Sequence, residues 1–234
     1  MRVDRIHPAR LSEMNEDLGA AVVIDVLRAT STAIALFTSG ARRVEVVATP
    51  GELGSLPAPP GANRYLVFSE LDESRAAGLD CVDNSPALAA EVSLVERLPV
   101  LVTTNGTRAL AAAVPRARAV MVASFGNLTA LARHLAASAE RVTLLPAGDF
   151  AGGEPRAEDE LCADALAALL AGRSPDLPAI IDAVWRDARV QRRIARHPEL
   201  VRDVEVALAV DRHPAIPRLA AEAGSGRLAL VPAA

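Results

Sequence analysis

Residues 20–48 read AAVVIDVLRATSTAIALFTSGARRVEVVA. The run 20–26 is apolar except for Asp25 near its end, and such a short run reads as a strand covered on both faces. Residues 30–39 read as a helix, with Gly40 at the position that closes it. Residues 43–48 read as the next strand. A strand, a helix and a second strand suggest a right-handed crossover unit.

The same alternation extends outward. Strands are expected at 100–103, 119–123 and 142–146, each followed by a helix, at 106–114, 128–139 and 158–171. A further strand is expected at 64–69, and a helix at 86–98 with Pro86 in its first turn. Residues 50–63, rich in Pro and Gly, read as a surface connector, and 70–85 as irregular. Helices at 179–196 and 200–209, broken by His197 and Pro198, make the last third helical, and 228–231 reads as a closing edge strand. The expectation is a three-layer α/β/α fold with a largely parallel or mixed sheet. Residues 1–234 are read as one α/β domain, with room for two lobes.

The composition narrows the function. Apolar residues make up 51% and aromatics only 3%, so the core must be packed with aliphatic side chains. The net charge is −4 with no block of like charge, and nucleic acid, which rewards clustered cations, is not an expected partner. All basic residues except histidine are Arg, which leaves no lysine for a Schiff base or a phosphate loop. No apolar run is long enough to cross a bilayer, and 1–11 carries charges without an apolar core, so a cytoplasmic location is expected. Cys81 and Cys162 are read as reduced, buried thiols. Oligomeric state is not readable, and a homodimer stands only as the common arrangement.

Open parallel sheets bind ligands beyond the carboxyl ends of their strands. At those junctions the sequence places Asp25, Arg28, Thr30, Ser31 and Thr32; then Thr104, Asn105, Gly106, Thr107 and Arg108; then Ser124 and Asn127; then Asp149 and the acids 158–160. Unpaired N–H groups at helix starts favour anions, and Arg28 and Arg108 add planar donors. Together these describe a site for a compact, multiply anionic molecule. Hydroxyl residues before helices are also ordinary caps, and acids in a first turn are ordinary dipole partners. On that ground Glu158 and Glu160 read as exposed charges. A carboxylate set for a hard cation is sought in Asp25, then Glu70, then Asp149, Glu158 and Asp159. The four histidines sit at no junction and are read as structural or surface residues.

Four segments resemble the 2-phosphosulfolactate phosphatase family. They are VVIDVLRATST at 22–32, DNSP at 83–86, TTNGTRAL at 103–110 and EDELCA at 158–163. Ala123-Ser124-Phe125 with Asn127, and Asp203-Val204-Glu205 with Asp211, are similar as well. The resemblance implies Mg²⁺-dependent hydrolysis of 2-phosphosulfolactate to sulfolactate and phosphate, on the route to coenzyme M. It implies Asp25, Arg28 and Arg108 as catalytic groups. Thr30, Ser31, Thr32, Asn84, Ser85, Thr104, Asn105, Gly106, Thr107, Ser124 and Asn127 would bind substrate, and Asp25, Glu70 and Asp159 would bind metal. The attacking group is left open between activated water and Asp25 itself. One departure stands out: Leu71 follows Glu70 where the family commonly carries arginine, and Arg75 is the nearest replacement. A non-catalytic anion-binding protein and a phosphatase for another phospho-hydroxy acid are the competing readings.

Overall fold

A computed structural model describes residues 1–75, 77–222 and 224–233. Ten strands form one sheet: β1 (Arg2–Arg5), β2 (Ala20–Ile24), β3 (Val44–Val46), β4 (Arg64–Phe68), β5 (Asp80–Val82), β6 (Arg97–Leu101), β7 (Ala119–Ala123), β8 (Arg141–Pro146), β9 (Pro217–Ala221) and β10 (Leu228–Pro232). The helices are α1 (Ala29–Thr38), α2 (Asp72–Arg75), α3 (Pro86–Glu91), α4 (Gly106–Ala113), α5 (Leu128–Ser138), α6 (Ala157–Leu170), α7 (Leu177–Arg186), α8 (Ala188–Arg196) and α9 (Leu200–Ala207).

The strand order is β1-β8-β2-β7-β9-β10-β3-β6-β4-β5. The first four strands are mutually parallel, and so are the last four. Between them β9 and β10 pair antiparallel with each other and with their outer neighbours β7 and β3. Three reversals make the two parallel sets run in opposite directions. Five strand-to-strand steps separate β2 from β6, and at the usual twist they accumulate roughly 100–125° of rotation. The carboxyl ends of the two sets are thereby turned toward one cleft, where Gly106, beyond β6, meets Asp25, beyond β2.

Alternation along the strands explains the layers. In β2, Ala21 and Val23 join one core with α1, α3 and α4, while Val22 and Ile24 join a second with α5, α6, α7, α8 and α9. The first core also takes Val44, Leu66 and Leu101 from the other set, so α1, α3 and α4 span both halves. A smaller core of Val47, Leu53, Tyr65, Val67, Val100 and Val102 covers the remaining face.

Several expectations are corrected. Strands β2 and β3 do not form a crossover pair, since β7, β9 and β10 lie between them. Residues 228–231 belong to a central strand, not an edge. The helix expected over 86–98 stops at Glu91, because Arg97 must start the strand that pairs with β3 and β4. The helix expected over 179–196 divides at Asp187, whose carboxylate accepts from the N–H groups of Arg189 and Val190 and so caps a new helix. Cys162 is buried and Cys81 only half-buried, both as free thiols. No helix among the described residues is long and apolar enough to cross a membrane.

Candidate active site

The loop after β2 is closed by its own hydroxyls. Thr30 Oγ1 accepts from the Asp25 N–H at 3.1 Å and donates to the Asp25 carbonyl at 2.8 Å. Ser31 Oγ donates to the Val26 carbonyl at 2.8 Å. Thr30 and Ser31 therefore shape the turn. Buried Thr32 Oγ1 has no partner. Asp25 is left at the floor of a cavity of about 240 Å³. Leu27, Arg28, Glu70, Asn84, Thr104, Asn105, Gly148, Arg156, Glu158, Asp159, Arg189 and Arg193 complete its lining.

One wall of that cavity is acidic. Asp159, in the first turn of α6, accepts from the Val26 N–H at 2.8 Å and the Gly148 N–H at 3.0 Å, tying the loops after β2 and β8 together. Glu70 accepts from the Thr104 N–H and Oγ1, both at 2.8 Å, and from Asn84 Nδ2 at 2.9 Å. It thus joins the ends of β4, β5 and β6. Glu158 is 1% exposed and paired with Arg189, and its Oε2 has no partner. Asn84 Oδ1 is likewise buried and unpartnered.

Crowding of acids away from water perturbs them. Burial, and then the charges of Glu70 and Glu158, push the Asp25 carboxyl up to about 7, against the opposing N–H groups of Ala29 and Gly106. Asp159 is held well above the usual carboxylate range by burial, then by Asp25 and Glu158. Gly106 permits this proximity: a Cβ there would lie 2.6 Å from the Ala29 Cβ and 2.8 Å from Asp25 Oδ2. Asn105 Oδ1 accepts from the Phe150 N–H at 3.1 Å, which brings the loop after β8 across the cavity.

Arginines line the same cavity, and one of them, Arg189, reaches Glu158. Arg156 precedes α6 and approaches Asp149 only at 3.9 Å. Arg189 and Arg193, one turn apart on α8, face the cavity together. Burial, and then Arg28 and Arg189, lower the pKa of Arg193.

Several residues selected from the sequence sit elsewhere. Arg28 lines the cavity, but its guanidinium is gripped by Asp83 and by Asp203, the latter at 2.7 Å. Those two carboxylates outweigh burial and raise its pKa. Ser85 caps α3 and donates to Asp203 at 2.5 Å. Thr107, in the first turn of α4, exchanges hydrogen bonds with Thr103 in the loop before it. Arg108 is half-buried on α4 and does not line the cavity. Ser124 and Asn127 form a capping box, and Asn127 Nδ2 donates to the carbonyls of Val122 and Ala215, also outside the cavity. Leu71 packs against the small apolar core, and Arg75 is exposed; neither lines the cavity.

The model of the 2-phosphosulpholactate phosphatase family matches residues 6–222. The chain belongs to that family. A probable 2-phosphosulfolactate phosphatase of Symbiobacterium thermophilum is 35% identical over 68% of this chain and 65% of its own length. One from Deinococcus radiodurans is 36% identical over 55% of this chain, and one from Gloeobacter violaceus is 30% identical over 93%. The chain spans 65%, 52% and 95% of these three relatives, in that order, so the first two alignments leave a third or more of each relative unmatched. In this family member Arg156, Arg189 and Arg193 are charged cavity residues that sequence reasoning did not select, and Glu158, named there among the acids, was read as an exposed charge.

A hard cation suits the donor set. No three His, Cys, Asp or Glu among the described residues are gathered as a ready metal site. Mg²⁺, however, is commonly held by one or two carboxylates, with water and substrate phosphate completing its shell. Asp25 and the unpartnered Glu158 Oε2 supply such oxygens, while Glu70 and Asp159 are already engaged by N–H and O–H donors.

Proposed function

We propose that this chain is a phosphoric monoester hydrolase that cleaves 2-phosphosulfolactate to sulfolactate and phosphate with the help of Mg²⁺. The observation that carries the reading is the charged cavity, lined by carboxylates from the loops of both strand sets and by four arginines. The family match and the names of its relatives supply the substrate. That substrate bears a phosphate, a sulfonate and a carboxylate on three carbons, and suits a small, strongly charged pocket.

Asp25 and Glu158 would hold the cation, with Asp159 and Glu70 shaping the wall behind them. When bound, Mg²⁺ would neutralise that wall and polarise the phosphoryl group. Arg156 and Arg189, which line the cavity, would hold phosphoryl oxygens and stabilise charge as it moves toward the leaving oxygen. Without the cation the buried Asp25 carboxyl is pushed up to about 7, and bound Mg²⁺ would favour its ionised form. Arg28, clamped by Asp83 and Asp203, fixes the loop that carries Asp25.

The test is phosphate release from 2-phosphosulfolactate, 2-phospholactate and phosphoglycolate, with Mg²⁺ and with EDTA. The reading expects the highest kcat/KM on 2-phosphosulfolactate and loss of turnover in EDTA that Mg²⁺ restores. No phosphate release from any ester under either condition would remove the hydrolase reading.

A further inference from the structure

Arg193 is the anomaly of the cavity. Arg28 is clamped between two carboxylates, and Arg189 is paired with Glu158. Arg193, among the described residues, makes no side-chain hydrogen bond or ion pair. It nonetheless faces the cavity and also borders an apolar groove formed by Leu27, Val190, Ile194, Leu200 and Val204. Its charged neighbours are the cations Arg28 and Arg189 and the acids Glu158 and Asp25, and burial and the cations outweigh the acids. A guanidinium half-withdrawn from water, beside other cations and an apolar wall, is unfavourable unless an anion completes it. The charges of Glu158 and Asp25 act on it as well, but among the described residues neither forms an ion pair with it, and they are the groups suited to the metal and phosphate end of the ligand.

We infer that Arg193 is a specificity-determining residue that binds an acid group of the substrate that is not transferred. This rests on the phosphatase reading for the identity of the substrate, though not for the existence of the anion subsite. A planar guanidinium donates two parallel hydrogen bonds to either a sulfonate or a carboxylate. Asp25, Glu158 and the cation they would hold engage the phosphoryl group, which leaves Arg193 for another acid group of the substrate. Binding energy realised there is the same in ground and transition states, so its loss falls on KM rather than on kcat.

The experiment compares the wild-type protein with Arg193→Gln, Arg193→Lys and the exposed control Arg192→Gln on three esters. 2-Phosphosulfolactate has both acid groups, 2-phospholactate lacks the sulfonate, and 2-sulfoethyl phosphate lacks the carboxylate. Arg193→Gln should lower kcat/KM by roughly 50-fold, through KM, on 2-phosphosulfolactate and on one truncated ester, and leave the other nearly unchanged. The ester that is spared lacks the group Arg193 binds. Arg193→Lys should fall between, and Arg192→Gln should match wild type. In parallel, calorimetry with 3-sulfolactate reads binding without turnover. Wild-type binding that Arg193→Gln weakens by a similar factor supports the subsite even if no ester is hydrolysed, a result that would remove the phosphatase reading alone. Equal losses on all three esters would place Arg193 on the phosphate instead. That outcome, or no loss of either turnover or sulfolactate binding, overturns the inference, and circular dichroism of each variant separates these outcomes from misfolding.

Discussion

Replacing Asp25 by Asn should stabilise the metal-free protein at alkaline pH while abolishing its chemistry. In the folded chain the Asp25 carboxyl titrates at about 7 rather than 3.8. Between those values the native state holds a proton that the unfolded state has released, so stability falls as pH rises through this window. At about pH 8 the cost of the ionised, buried carboxylate approaches about 4 kcal/mol, and at about pH 4.5 it is only about 1 kcal/mol. Glu70 and Glu158 contribute to the shift, so part of the relief also depends on their charge. Asparagine keeps one acceptor oxygen for two N–H groups, those of Ala29 and Gly106, and leaving one short costs about 1–2 kcal/mol. The net gain at about pH 8 is then about 2–3 kcal/mol, or roughly 5–10 °C in Tm for a chain of this size.

The assay is thermal unfolding of both proteins in EDTA across that pH range, with the same samples tested for phosphate release. The difference in Tm should be largest at high pH and vanish or reverse by about pH 4.5, where Asp25 is neutral in the native state. Added Mg²⁺ should raise the Tm of the wild type more than that of the variant, because a ligand stabilises only the state that binds it. An Asp25→Asn protein that is no more stable at about pH 8, or whose advantage does not depend on pH, would show that the acidic wall is not under electrostatic strain. The assignment of a cation to it would then lose its physical basis.

Three further outcomes are expected. Asp203→Ala should cost about 1–3 kcal/mol by urea unfolding, because it removes the buried one of the two carboxylates on Arg28, leaving Asp83, and takes away the acceptor of Ser85. Gly106→Ala should cost about 1–3 kcal/mol and lower kcat, since its Cβ would meet the Ala29 Cβ at 2.6 Å and Asp25 Oδ2 at 2.8 Å; unchanged kinetics would show that α4 can retreat without moving Asp25. Leu71→Arg should leave kcat/KM within a few fold and destabilise the protein by about 1–2 kcal/mol, because that side chain packs on the small core rather than lining the cavity; a large gain in turnover would show the opposite.

The sheet was legible where local pattern suffices. Residues 20–26 declare a strand because both faces of β2 are buried, and Ala119–Ala123 declares itself in the same way. Strand order was not legible, because the central position of β9 and β10 depends on pairing across most of the chain length. Pro217 and a run of small residues give β9 little of a strand's usual signature. Asp25 was legible as an acid at the end of an apolar run. Glu158 was not, because an acid in a helix's first turn has an ordinary explanation that composition cannot set aside. Only its burial beside Arg189 removes that explanation.

The arginines illustrate a general difficulty in reading anion sites. Arg28 lies within the most distinctive segment of the sequence, yet Asp83 and Asp203 already satisfy it, so its contribution is to hold the loop that carries Asp25. Arg193 lies in a helix whose exposed face is rich in arginine, and nothing local distinguishes it from Arg192 or Arg196. What distinguishes it is the absence of a carboxylate partner where water is also scarce, a property of the assembled walls rather than of any segment. An arginine's capacity to bind a ligand is set by what the fold leaves unpaired. In this cavity the fold pairs the arginine of the conspicuous motif and leaves one on α8 open.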